Sequence, residues 1–104
     1  QGCLRRPGES QADYRRVFLD DEGRLSAKLL AVTGRAPTTL IYPFGLMSVD
    51  SERLVREAGF RASVSCVAGV NLLTAGVPED LYRLKRCLRT YTVPVEAILR
   101  RYGA

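Results

Sequence analysis

The stretch TGRAPTTLIYPFGLMSVDSERLVREAGFRASVSCVAGVN, Thr33 to Asn71, decides how this chain folds. Thr38-Thr39-Leu40-Ile41-Tyr42 is β-branched and apolar with no helical period, so it reads as a short buried strand. Pro43-Phe44-Gly45 ends it. A helix follows from Ser48 or Asp50 to Ala58, with Val49, Leu54, Val55 and Ala58 inward and Gly59 as its stop. Phe60 leads into a second strand over Arg61–Cys66. A loop holding Gly69, Asn71 and Gly76 comes next, with Gly69 and Asn71 read as a tight turn needing positive φ. Strand, helix, strand in that order predicts neighbouring parallel strands joined by a right-handed crossover.

Working outward, residues 1–9 (QGCLRRPGE) carry Gly, Pro and charges and read as a flexible arm or truncation edge. Ser10 suits a helix N-cap, and Asp13 suits the positive end of the dipole. Tyr14, Val17, Phe18, Leu25, Leu29 and Val32 recur at helical spacing and give one apolar face. Gly23 is expected to kink or split this helix, and Gly34 with Pro37 to end it. Downstream, Pro78-Glu79-Asp80-Leu81 forms one helical turn, residues 84–90 look extended, and a last helix follows Pro94 to about Arg101. Residues 10–104 thus form a single α/β unit of about three mainly parallel strands with three helices. A parallel strand is normally covered on both faces, so a unit this small is only a portion of a sheet with open edges.

The chain has 104 residues, 46% hydrophobic, 26% charged and 8% aromatic, which bounds it to one domain at most and argues against disorder. No apolar run approaches the roughly 20 residues of a membrane-spanning helix. No basic-then-apolar leader is visible, and the compartment stays open. The absence of histidine removes Ser-His-Asp and Cys-His catalysis and two-His metal sites. Cys3, Cys66 and Cys87 are dispersed with no CxxC pair, so they read as separate thiols, with a Cys66–Cys87 disulfide left open. The formal charge is +5, and Arg83, Lys85, Arg86, Arg89, Arg100 and Arg101 crowd near Tyr82, Tyr91 and Tyr102 against a single acid, Glu96. This reads as a solvated basic face. A non-catalytic α/β binding module for an anionic polymer or nucleic acid is the alternative it keeps open.

The Thr33–Asn71 stretch resembles the polysaccharide deacetylases, the NodB-homology or fourth carbohydrate esterase family. The resemblance lies in a helix ending Thr33-Gly34, a strand into Tyr42-Pro43-Phe44-Gly45, a helix ending Glu57-Ala58-Gly59-Phe60, and a strand leading to Gly69-x-Asn71. Arg86 and the helix at Val95–Arg101 are similar to that family's final strand and helix. Gly8-Glu9-Ser10 with Tyr14 and Asp20 is similar to the helix before its YPFG strand. Roughly residues 8–102 are covered.

The resemblance implies part of a distorted (β/α) barrel with its site at the C-terminal strand ends. It implies a glycan substrate carrying N-acetyl groups, a divalent metal such as zinc in the complete domain, and a bacterial envelope or secreted setting. The metal-binding Asp-Asp and HxxxH motifs of the family precede the part matched here, so no cofactor is expected in this chain and none of its residues is a metal ligand. Tyr42-Pro43-Phe44-Gly45 is similar to the RPPYG motif. Phe44 takes the position whose backbone N–H helps hold the developing oxyanion, with Tyr42, Pro43 and Gly45 beside the substrate. The Arg of that motif falls at Ile41, and the LxH motif has no counterpart. The expectation is the C-terminal half of a deacetylase-like domain, silent alone, whose partner is the remainder of the barrel or a second copy.

Overall fold

The computed structural model describes residues 3–103. Helix α1 spans Gln11–Thr33. Ser10 is extended (φ −68°, ψ 157°), and its hydroxyl accepts the Asp13 N–H at 3.0 Å, satisfying a donor the first turn leaves free. Gly34 closes the helix in the left-handed conformation (φ 73°), where its N–H reaches the Leu30 carbonyl at 2.9 Å. The expected break at Gly23 is absent. Glycine lowers helix propensity but keeps its N–H, and one such residue inside 23 does not interrupt the ladder.

Strands β1 (Thr39–Ile41) and β2 (Ala62–Val64) are parallel neighbours, with Leu40 opposite Ser63. Helix α2 (Ser51–Glu57) connects them. The strands are shorter than Thr38–Tyr42 and Arg61–Cys66, though pairing continues past their ends. Arg61 N–H donates to Thr38 O at 2.8 Å and Tyr42 N–H to Val64 O at 3.0 Å. The expected third strand shrinks to a parallel bridge between Val64 and Leu84. Leu84 N–H reaches Ser63 O and Arg86 N–H reaches Val67 O, both at 2.9 Å. Arg83, at φ 57°, turns the chain immediately before this ladder. A single helical turn at Pro78–Leu81 and helix α3 (Val95–Arg101) complete the order.

Cys3, Tyr14, Phe18, Leu40, Tyr42, Leu54, Val55 and Phe60 form one core between α1, α2 and one sheet face. Tyr14 and Phe18 meet edge to face, their centroids 6.0 Å apart. The rest of the α1 stripe is not covered: Val17, Leu25, Leu29 and Leu30 are partly exposed, and Val32 is 85% exposed. Val49, expected inward, is 93% exposed because α2 begins two residues later at Ser51. Ala58 is likewise exposed.

The expected arm is docked from Cys3 onward. Cys3 is buried and pairs in parallel with Met47. Its carbonyl accepts from the Tyr14 hydroxyl at 2.6 Å and the Ser51 hydroxyl at 3.1 Å. Arg5 N–H reaches Ser48 Oγ at 2.7 Å. Burial, with Glu22 and Asp21 nearby, pushes the Cys3 thiol up to about 11. Thiolate is the reactive form, so at pH 8 alkylation of Cys3 in the native chain should run about 100-fold slower than for an ordinary thiol. Cys66 and Cys87 are exposed and should label first, as peptide mass spectrometry over time will show. Equal labelling of all three would mean that the Cys3 contacts do not form.

Candidate functional site

The carboxyl ends of β1, β2 and the Leu84 segment lie on one side of the sheet, and the YPFG sequence is there. Tyr42 is the last residue in register. Pro43–Gly45 then make one tight turn, with Gly45 N–H donating to Tyr42 O at 3.1 Å and Leu46 N–H to Pro43 O at 3.0 Å. Neither bond uses the Phe44 N–H. Phe44 is left-handed (φ 54°, ψ 14°), a conformation that costs a non-glycine residue about 1–2 kcal/mol. Its ring is 90% exposed, so packing inside this chain does not offset that cost.

Gly45 is at φ 69°, and a Cβ there would lie 2.8 Å from Cys66 Cβ. Both the conformation and the space exclude a side chain. Gly45→Ala should therefore destabilise the chain by about 2–3 kcal/mol, read as a lower midpoint in urea unfolding. An unchanged midpoint would mean that the turn does not close on Cys66.

Arg86 Nη2 donates to Cys66 Sγ at 2.6 Å, and Cys66 Sγ lies 4.0 Å from Tyr42 O. The ladder that places Cys66 beside Arg86 leaves Cys87 one position out of step, with its sulfur 3.8 Å from Gly69 O. All three cysteines are free, so the disulfide left open by the sequence is not formed. Ile41, at the position of the RPPYG arginine, is 57% exposed.

The Tyr42 side chain, expected beside the substrate, is fully buried on the face covered by α2. Its hydroxyl donates to Glu52 Oε1 at 2.7 Å. Ser63 Oγ donates to the same carboxylate at 2.9 Å, and Arg83 Nε lies 3.7 Å away. Burial and then this carboxylate hold the Tyr42 phenol well above its ordinary range. Tyr42 is therefore core. Pro43 and Phe44 are exposed and Gly45 half-buried at the same turn.

Glu52 was not legible as important. It sits one residue into α2, where an acid simply suits the dipole, and only the folded chain shows Tyr42, Ser63 and Arg83 around it. Gly69 has the expected positive φ (150°), whereas Asn71, expected to share it, does not. Asn71 acts through its amide, donating from Nδ2 to Lys85 O at 2.9 Å and accepting Lys85 N–H on Oδ1 at 2.8 Å. That pairing substitutes for a neighbouring strand beside Lys85.

The basic residues near the end do not converge on a ring. Arg100 and Arg101 fall in the last turn of α3, and Tyr91 is fully exposed. Tyr82 of that group does carry a cation over its ring, but it is Arg56 of α2, at 4.1 Å, and not a member of the basic run. The residues present do not fit a divalent metal either: the chain has no histidine, and no three Cys, Asp or Glu side chains of the described residues come together.

Two parallel strands joined by a helix, with a strained turn at the carboxyl end of β1, make a small α/β unit. The chain has a polysaccharide deacetylase-like fold. It is similar to the structure of a de-N-acetylase from Aggregatibacter actinomycetemcomitans, at 15% identity and a TM-score of 0.72, over 96% of this chain and 43% of that one. It is also similar to the BpsB deacetylase domain from Bordetella bronchiseptica, at 18% identity and a TM-score of 0.57, over 66% of this chain and 33% of that one. The chain thus spans less than half the length of either. No family model matches it, and no curated protein does.

Proposed function

We propose that this chain is the C-terminal portion of a polysaccharide deacetylase-like carbohydrate esterase, a domain that removes N-acetyl groups from a bacterial envelope or secreted glycan. One observation carries the reading. The YPFG turn stands at the carboxyl end of a parallel strand, and Phe44 keeps a costly left-handed backbone there without any packing return. Strain of that kind collects where backbone groups serve a ligand. In amide hydrolysis the acetyl carbonyl oxygen gains charge as it is attacked, and the Phe44 N–H would donate to it. Pro43 limits the approach of the chain, and the Gly45 contact with Cys66 fixes the turn.

In the family that the chain resembles, the metal ligands and the base lie in motifs that precede the part matched here. Alone, the chain should release no acetate from N-acetylglucosamine oligomers, with or without added zinc. Joined to a polypeptide carrying the Asp-Asp and HxxxH motifs, it should release acetate at a rate neither piece reaches by itself. Release by the chain alone, or a joined protein that folds and stays silent, would overturn the reading.

A further inference from the structure

The sheet and the loops at its carboxyl ends differ in charge from the rest of the chain. All 11 acids lie outside residues 23–49, 58–78 and 81–95, the stretches that hold β1, β2, the Leu84 segment and the loops after them. Arg86 stands in this acid-free surrounding. It is two residues past Leu84 and level with Cys66, itself two residues past Val64 of the parallel bridge. Its Nη2 donates to Cys66 Sγ at 2.6 Å, and that sulfur lies 3.4 Å from where a Gly45 Cβ would stand. A positive charge is thus held one side chain away from the YPFG turn. Arg83 has Glu52 as its acid, whereas among the described residues no carboxylate comes within ion-pair distance of Arg86. A thiol is a weak acceptor, so most of the five guanidinium N–H donors are left for another group.

We propose that Arg86 is a subsite for a carboxylate carried by the glycan, on a sugar neighbouring the N-acetylated one. The inference rests on the proposed function, which brings the acetamide to the Phe44 N–H, and it narrows the substrate to a glycan that contains an acidic sugar such as a uronic acid. The planar guanidinium presents parallel N–H groups that match the two oxygens of a carboxylate, a pairing that neutral hydroxyls do not reproduce. The Cys66 contact holds one edge of the fork in place, so less side-chain freedom is lost on binding. The lack of acids in these three stretches leaves no local competitor for the guanidinium and no like charge to repel an incoming anion. Arg100 and Arg101 lie apart from this ladder in α3 and provide the control for charge alone.

The test is calorimetric titration of the full chain with two tetrasaccharides, one of alternating glucuronic acid and N-acetylglucosamine, the other of N-acetylglucosamine alone. The acidic one should bind about tenfold more tightly or better, and the preference should shrink as salt is raised. Arg86→Gln should abolish the preference without weakening the neutral sugar. Arg86→Lys keeps the charge but not the fork and should retain part of it. Arg100→Gln combined with Arg101→Gln removes more charge and should leave the preference intact. Circular dichroism of each variant checks that the fold is kept. No binding of the acidic tetrasaccharide, equal affinity for the two, or a preference that survives Arg86→Gln would overturn the proposal. So would an Arg86→Gln variant that loses both sugars equally, which is what a merely structural arginine predicts. Displacement of the acidic sugar by inorganic phosphate at equal concentration would make this a plain anion site and overturn the glycan assignment. A joined protein that stays silent while the chain keeps its acidic preference would defeat the proposed function and leave the subsite standing. One that releases acetate from neutral and acidic glycans equally fast would defeat the subsite alone.

Discussion

In the joined, active protein, Phe44→Pro should lower kcat by about 10²–10³-fold, the usual scale for losing one oxyanion donor. Proline has no N–H, and its ring holds φ near −65°, whereas this position stands at 54°. Both the donor and the turn would go. Phe44→Gly keeps the N–H and adopts positive φ without strain, so it should retain kcat within a few-fold and raise the chain's unfolding midpoint. Phe44→Ala should retain kcat equally but gain no stability from the backbone. Steady-state acetate release separates these outcomes. Equal activity of the Pro and Gly variants would remove the oxyanion assignment while leaving the fold intact.

The largest stability effect is expected at Glu52. Its carboxylate accepts from two buried hydroxyls and lies beside the Arg83 guanidinium, so Glu52→Ala strips partners from groups that water reaches poorly. Breaking a network of this kind costs about 3 kcal/mol. Glu52→Gln keeps an acceptor oxygen and should cost less, about 1 kcal/mol. Urea unfolding followed by far-ultraviolet circular dichroism reads both. An Ala variant as stable as the Gln variant would mean that the three contacts contribute nothing.

The β1–α2–β2 unit was legible because its signals are local. β-Branched residues at Thr38–Tyr42, the proline stop, and the Leu54 and Val55 spacing all act within a few positions. The YPFG turn was legible as sequence, but the fate of Tyr42 was not. Which way a side chain points at the end of a strand depends on register, and the two-residue period turned Tyr42 inward with Leu40. Residues 3–9 misled for a similar reason, the first two of the expected arm lying outside the described residues. Their Gly, Pro and charges describe an arm, yet Cys3 is held by Tyr14 and Ser51, 11 and 48 positions away. The third strand shortens to a single parallel bridge at Leu84, although Leu84 and Arg86 still bond to Ser63 and Val67.

The Asn71 carboxamide has a consequence for how the molecule comes apart. Beyond the Val64–Leu84 bridge, the segment from Lys85 onward joins the rest largely through the Arg86 contacts, the approach of Cys87 to Gly69 and that one amide, and α3 contributes no buried residue. The first two thirds of the chain hold the shared core. The fold therefore has two tiers of stability, and the last twenty or so residues can detach in a sub-global opening that leaves the core standing. Because Arg86 belongs to the loosely held tier and touches Cys66 beside the YPFG turn, such a fluctuation would loosen the floor of the turn well before the molecule unfolds.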